Sequence, residues 1–183
     1  MSRITVPSRE TAPASSQPLL DAVDKQLGVV PNLFRLVGLS PAALQGYLSM
    51  NGALGKTLDV KTRERIALAV AQVNGCDYCL SAHSYLGLNL AKLDAAELAH
   101  NRRGTSLDAK ASAAVAFAAG LAQNRGNVSD AELQAVRAAG YSDAQIIDIV
   151  ALVAENVFTN FVNLVAHTEI DFPVVRAAEL TGR

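Results

Sequence analysis

Apolar residues recur at spacings of three and four along most of this chain, which is the period of an amphipathic α-helix. Glycine, asparagine and proline interrupt the pattern and set the helix ends. Ser129 and Glu132 have the spacing of a capping box. No stretch alternates as a strand would, so the pattern predicts an all-α, compact multi-helix bundle. Its helices are expected at about 19–27, 31–39, 41–55, 59–74, 76–86, 94–100, 106–122, 129–139 and 142–165.

Composition agrees with close-packed helices. The 183 residues include 32 alanines, 5% aromatic and 50% hydrophobic side chains, which exceeds what a disordered chain carries. The net charge of −1 removes the electrostatic footprint expected of a nucleic-acid or anionic-membrane binder. We expect neither partner.

Residues 1–18 are proline-rich and show no period, which predicts an extended N-terminal arm ahead of a single helical domain at 19–183. A disordered tail and an arm that packs on a neighbouring subunit both fit this composition. No apolar leader segment follows Met1–Val6, and no run of 18 uncharged apolar residues is present. A cytoplasmic location is therefore expected.

The chain also contains an internal similarity. A shift of 84 residues lays 62–83 over 146–167, so that Ala67 meets Ala151 and His83 meets His167. In the second copy the cysteines of the first are replaced by Asn160 and Asn163. We interpret this as a pseudo-repeat that has lost its thiols, in which Asn160, Asn163 and His167 form a buried polar network.

The chemistry is concentrated in Glu64, Cys76, Cys79 and His83. Positions i, i+3 and i+7 share one helix face, so both cysteines and the histidine line up after the break at Gly75. The N-terminus of a helix favours a thiolate, and this dipole alone favours Cys76 as the more acidic thiol. His83 is placed to take a proton from Cys79, and Glu64 on the preceding helix would orient its ring or share a water with it.

Other interpretations of these residues are weaker. Zinc wants four ligands, whereas this motif supplies three. A c-type haem needs histidine directly after the second cysteine, where Leu80 stands. Two inert core cysteines remain an alternative. No nucleotide-binding motif is present, so no cofactor is expected. Lys61, Arg63 and Arg65 are predicted to form a solvated face.

The run from Glu64 through Cys76, Cys79 and His83 resembles the active site of alkylhydroperoxidase D-like proteins, in the carboxymuconolactone decarboxylase superfamily. The stretches 27–34 (LGVVPNLF) and 158–172 (FTNFVNLVAHTEIDF) resemble its peroxidase-related branch. Some peroxidases of this family carry a second histidine where this chain has Tyr78. The namesake lactone decarboxylases lack the cysteine pair, so decarboxylation is not expected.

The resemblance implies a thiol-dependent peroxidase that reduces organic hydroperoxides or hydrogen peroxide. Cys79 would be peroxidatic and Cys76 resolving, and His83 and Glu64 would relay protons. Tyr78, which departs from the family pattern, either donates a hydrogen bond to the peroxide or only packs. A dithiol would return the electrons. The family also suggests a homo-oligomer, a trimer or a hexamer. Two alternatives are a disulfide-exchange or redox-sensing protein with little peroxide turnover, and a binding module whose cysteines are incidental.

Overall fold

The computed structural model describes residues 2–179, and over that range the chain is helical with no strand. The predicted all-α fold class is confirmed. The helices are α1 (Gln17–Leu27), α2 (Asn32–Val37), α3 (Pro41–Leu54), α4 (Val60–Asn74), α5 (Asp77–Asn89), α6 (Ala95–Arg102), α7 (Ala109–Gln123), α8 (Asp130–Ala138) and α9 (Asp143–Ala166), followed by the 3-10 turn Ala177–Glu179.

Side-chain caps fix most helix starts, because an Asp or Ser oxygen accepts a backbone N–H of the first turn. The predicted capping box at Ser129 and Glu132 is present, and a second box forms at Ser142. Asp108 caps α7, which therefore begins at Ala109, later than the predicted residue 106. The remaining capped starts are at Ser40, Asp59 and Asp94.

The predicted end of α5 at Gly87 is wrong, since the helix continues to Asn89. Gly87 instead allows α6 to approach α5 closely. A Cβ at this position would lie 2.8 Å from Cδ2 of Leu98, closer than packed atoms come. The glycine marks a helix contact here and not a helix end.

Helix α4 lies at the centre of the fold and contacts α5, α6, α7 and α9. Every residue from Ile66 to Ala71 is buried, so the middle of α4 has no solvent face. One side packs on α7, α8 and α9, and the other faces α1 to α3 and α5. This central helix carries Glu64 at its start and ends next to Cys76.

The segments outside the helices close over the start of α5. Asn32 donates its backbone N–H to the Asp171 carboxylate at 2.7 Å, and Ser81 Oγ accepts the N–H of Val175 at 2.9 Å. The N-terminal segment is also held, since the carbonyl of Pro7 accepts from Arg35 Nε. The backbone N–H of Arg3 donates to the carbonyl of Ala166. The two flanking stretches of the family resemblance thus meet around the cysteine motif.

Helix α9 is the one described helix long and apolar enough to cross a membrane by length and composition. Half of its most apolar 18-residue window is buried inside the fold, against α3, α4, α5 and α7. Its outer face leaves large apolar side chains exposed. They are Ile147, Val150, Phe158, Phe161, Leu164 and Val165.

The prediction that Lys61, Arg63 and Arg65 form a solvated face holds only for Lys61. Arg65 is largely buried and donates from Nε to Oε1 of Glu97 at 2.7 Å. The Glu97 carboxylate also accepts from Asn101, from the Ser106 hydroxyl and from the N–H of Leu107. Glu97 therefore ties α4 and α6 to the start of α7, which periodicity within single helices does not reveal.

We expect Glu97→Gln to lower the free energy of unfolding by about 3 kcal/mol at neutral pH, because it leaves Arg65 buried without a counter-ion. Burial raises the pKa of Glu97, but its hydrogen-bond donors outweigh that effect and lower it to about 2. The stabilisation is therefore present above the unfolded carboxyl pKa of about 4.3 and is lost as pH falls through 2. Urea denaturation at several pH values measures both effects.

Asp21→Asn is the matched control, since it breaks the exposed ion pair with Arg9. An exposed pair contributes little. If both variants lose the same small amount of stability, the Glu97 cluster does not hold these helices together.

Candidate active site

Cys76 lies at the start of α5 because α4 ends in a left-handed residue, Gly75, with φ of 67°. Glycine adopts this conformation without a steric penalty. Cys76 is the N-cap of α5, and its Sγ accepts the N–H of Cys79 at 3.3 Å. One break in the chain therefore positions both sulfurs, and both are almost fully buried, with 1% and 2% of each residue exposed.

Hydrogen-bond donors converge on the sulfur of Cys79. Asn163 of α9 donates from Nδ2 to Cys79 Sγ at 3.3 Å. Burial raises the pKa of Cys79, but the Cys76 thiol, the Asn163 amide and the charge of His83 outweigh it and lower the pKa to about 7. A substantial fraction of this thiol is therefore ionised at neutral pH.

The pKa of Cys76 moves in the opposite direction. It is raised because the Cys76 thiol donates to Cys79, and burial adds to the effect. The helix dipole alone had favoured Cys76 as the more acidic thiol. The side chains around the pair reverse that order, because the Cys76 thiol donates a hydrogen bond, whereas the Cys79 sulfur accepts hydrogen bonds.

His83 follows Cys79 by one helical turn and pairs with Glu64 across the α4–α5 contact. Its Nδ1 lies 2.8 Å from Oε2 of Glu64. Burial lowers the pKa of His83, but the Glu64 carboxylate outweighs it, so the pKa lies above its usual value. The ring therefore retains its proton to higher pH, and its positive charge favours the neighbouring Cys79 thiolate.

A small cavity of about 70 Å³ connects Glu64, Cys79 and His83. The structure thus brings these three predicted residues to one space. Cys76 does not line this cavity. Apolar walls come from Leu33 and Leu152, and the polar lining is completed by Tyr47, Asn51, Arg63, Tyr78, Glu155, Asn156 and Thr159.

Sequence reasoning missed a second carboxylate in this cavity, Glu155 of α9. The side chain is buried, and its Oε1 accepts from Asn51 Nδ2 at 2.8 Å, while Oε2 has no hydrogen-bond partner among residues 2–179. Burial raises the pKa of Glu155. Nε of Arg63 is also buried without a partner. The available signal for Glu155 was a lone carboxylate in the apolar half of α9.

Tyr78 lines the cavity with its ring. Its hydroxyl oxygen accepts the backbone N–H of Leu33 at 3.1 Å, at the start of α2. Phe172 packs edge-on against the ring, with centroids 5.9 Å apart. Burial raises the pKa of Tyr78. The phenol is thus held between α2 and the C-terminal segment.

The residues of the second repeat copy are divided by the structure. Asn160 and Asn163 are buried beside the cysteine motif, and Asn160 Oδ1 accepts from Asn74 Nδ2 at 2.8 Å. His167 is exposed and left-handed at the end of α9, so its predicted place in a buried network is wrong. The two copies also differ in shape, because α9 is continuous where Gly75 breaks the first copy.

Within residues 2–179, no group of three or more His, Cys, Asp and Glu side chains is arranged to hold a metal ion. The clustered groups are instead thiols, an imidazole, carboxylates and amides. Their proximity suits proton transfer and thiol chemistry.

Known proteins resemble this chain in sequence and in structure. Residues 41–101, which contain the whole Glu64–His83 constellation, match the model of the carboxymuconolactone decarboxylase family. An uncharacterised protein of Haemophilus influenzae is 50% identical over 46 residues, which span 24% of this chain and 41% of that relative.

Solved structures resemble nearly the whole chain. A peroxidase-related protein with an alkylhydroperoxidase AhpD core, from Ralstonia eutropha, is 25% identical with a TM-score of 0.81 over 93% of this chain and 92% of its own. A peroxidase-related protein from Silicibacter is 25% identical with a TM-score of 0.79, over 92% and 91%. The debrominase Bmp8 with 2,3,4-tribromopyrrole shares the fold at 21% identity, with a TM-score of 0.78 over 93% and 94%.

The hydrogen bond between the two thiols predicts a contrast between two substitutions of Cys76. Cys76→Ser keeps a hydroxyl donor, so the pKa of Cys79 should stay near 7, whereas Cys76→Ala removes the donor and should raise it by about one unit. Ultraviolet absorbance of the thiolate against pH measures both values. Equal pKa values in the two variants would show that Cys76 does not stabilise the Cys79 thiolate.

Proposed function

We propose that this chain, which belongs to the carboxymuconolactone decarboxylase family in its alkylhydroperoxidase D-like branch, is a thiol-dependent peroxidase. The observation that carries the proposal is the environment of Cys79. Its sulfur has a pKa of about 7 and lines the same cavity as the His83–Glu64 pair. A thiolate next to a charged imidazole is what attack on a peroxide requires.

In the first step the Cys79 thiolate attacks one oxygen of the peroxide. The S–O bond forms, the O–O bond breaks, and the leaving alkoxide or hydroxide takes a proton to become an alcohol or water. Cys79 becomes a sulfenic acid. In its protonated form His83, held by Glu64 at 2.8 Å, would supply this proton.

Glu155 brings a second carboxyl group to the cavity. Burial raises its pKa, which favours the protonated form, and its Oε2 has no hydrogen-bond partner among the described residues. In that form the carboxyl group would donate a hydrogen bond to the departing oxygen. Asn51 holds the other oxygen, so the group keeps one orientation.

In the second step Cys76 resolves the sulfenic acid. The Cys76 sulfur attacks Cys79 Sγ, the S–O bond breaks and the hydroxide leaves as water with the thiol proton. The result is a Cys76–Cys79 disulfide. Positions i and i+3 at a helix start place the sulfurs for this bond, and the N–H of Cys79 already bonds to Cys76 Sγ at 3.3 Å.

A disulfide-exchange or redox-sensing protein with little peroxide turnover is the second candidate. The deep burial of both sulfurs favours it, since slow access of peroxide to Cys79 would limit turnover. Both functions need the same acidic thiol. They differ in whether peroxide is consumed for many cycles in the presence of excess dithiol.

Substitution of each cysteine separates the two roles. With hydrogen peroxide and excess dithiothreitol, Cys79→Ser should abolish turnover because the attacking thiolate is lost. Cys76→Ser should consume about one equivalent and stop at a sulfenic acid. Peroxide consumption and mass spectrometry measure these outcomes. Turnover by Cys79→Ser equal to wild type would exclude Cys79 as the peroxidatic residue, and a single burst in wild type would favour the sensor.

The size of the cavity predicts which peroxides react fastest. A volume of about 70 Å³ suits hydrogen peroxide and small alkyl hydroperoxides, whereas the phenyl group of cumene hydroperoxide needs more room. We expect a preference of about tenfold for hydrogen peroxide in single-turnover oxidation. Leu33→Ala, which enlarges one wall, should reduce that preference. A wild-type preference for cumene hydroperoxide would contradict this view of the cavity.

A further inference from the structure

Cys76 lines a cavity of its own, separate from the one that contains Cys79. This second cavity has a volume of about 320 Å³ and lies between the start of α5, the end of α9 and the segment after it. Among the described residues, Tyr78 alone lines both cavities. The two cysteines of the motif therefore line different cavities, and Tyr78 belongs to the wall of each.

Two residues that line the second cavity each carry a buried oxygen with no hydrogen-bond partner among the described residues. The oxygens are Oδ1 of Asn163 and Oγ1 of Thr168, in residues that are 3% and 7% exposed. A buried polar atom without a partner is costly, so such atoms indicate where a ligand or water binds. Leu164 and Ile170 supply apolar walls to the same space.

We propose that this second cavity binds the electron donor, a small dithiol, and that the donor attacks the disulfide at Cys76. The inference rests on the proposed function. It gives the protein two separate entrances, one for the peroxide and one for the reductant. The unpartnered Asn163 and Thr168 atoms would contact polar groups of the donor. Its carbon chain would lie on Leu164 and Ile170.

The exchange balances as two successive displacements. A donor thiolate attacks Cys76 Sγ, the bond to Cys79 breaks, and Cys79 leaves with the electron pair as a thiolate. The second donor thiol loses its proton to solvent and attacks the donor sulfur now joined to Cys76. Cys76 leaves as a thiolate, which takes up a proton, and the donor departs as a disulfide, having given two electrons.

The leaving group and the available space both favour attack at Cys76. A thiol of lower pKa leaves faster, and Cys79 is the thiol with its pKa lowered. Attack at Cys79 would have to bring the dithiol into the cavity of about 70 Å³ that Glu64 and His83 line.

Mapping of the mixed disulfide tests the site of attack. The full-length wild-type protein is oxidised with diamide, so no peroxide turnover is needed, then treated briefly with 2-mercaptoethanol and quenched with N-ethylmaleimide. Fragmentation of the peptide should show mercaptoethanol on Cys76 and maleimide on Cys79. The reverse assignment would overturn the proposal.

Narrowing the second cavity tests the route. Leu164→Trp fills one wall from a partly exposed position, and Ile147→Trp is the control at an exposed position of the same helix outside this cavity. Leu164→Trp should slow reduction of the disulfide by dithiothreitol about tenfold, because thiol exchange depends on access to the attacked sulfur. Thr168→Val, which loses only the hydroxyl, should raise the dithiothreitol concentration at which the rate of reduction is half-maximal. If Leu164→Trp and Thr168→Val are both reduced at the wild-type rate, the dithiol does not enter through this cavity.

The same proteins are also mixed with hydrogen peroxide in a single turnover. Normal oxidation in Leu164→Trp together with slow reduction supports separate entrances. If peroxide oxidises the protein normally but mercaptoethanol is found on Cys79, the reductant site is refuted and the proposed peroxidase is not. Absence of peroxide oxidation in wild type refutes the proposed peroxidase, and the diamide experiment still decides which sulfur the dithiol attacks.

Discussion

The left-handed glycine between α4 and α5 is the constraint on which the site depends. Gly75 ends the central helix and turns the chain so that Cys76 becomes the N-cap of α5, with Cys79 in the first turn. Because the middle of α4 is buried on all sides, the core fixes the position of this helix and of the break that follows it. The same helix carries Glu64, so the thiols and the proton relay share one rigid support.

Around that support, the acidity of Cys79 results from a balance of opposing effects. Burial alone would keep the thiol neutral, yet its pKa is lowered to about 7 by donors that come from different parts of the chain. Asn163 belongs to α9 and His83 to α5, while Glu64 of α4 holds the imidazole. The site is therefore preorganised by tertiary packing, which keeps a reactive sulfur partly ionised although it is almost fully buried.

The sequence predicted the helical class, most helix positions and the proximity of Glu64, Cys79 and His83, because these follow from periodicity and spacing within adjacent helices. It could not predict contacts between distant segments. Arg65 was expected in solvent and pairs with Glu97, and Glu155 enters the cavity from a helix more than sixty residues further along the chain. For the two thiol pKa values, the helix dipole and the spacing of His83 indicate opposite orders. Asn163, which only the folded chain brings to Cys79, adds to the effect of His83.

The central claim is that the Cys79 thiolate attacks peroxide, and its most direct test is the pH dependence of that reaction. In Cys76→Ser, Cys79 is the one remaining cysteine, so the rate of its oxidation by hydrogen peroxide reports on this thiol alone. The account predicts a rate that rises with pH to a plateau with a midpoint near 7. A rate that rises only around the pKa of an ordinary thiol, about 8.5, would contradict it.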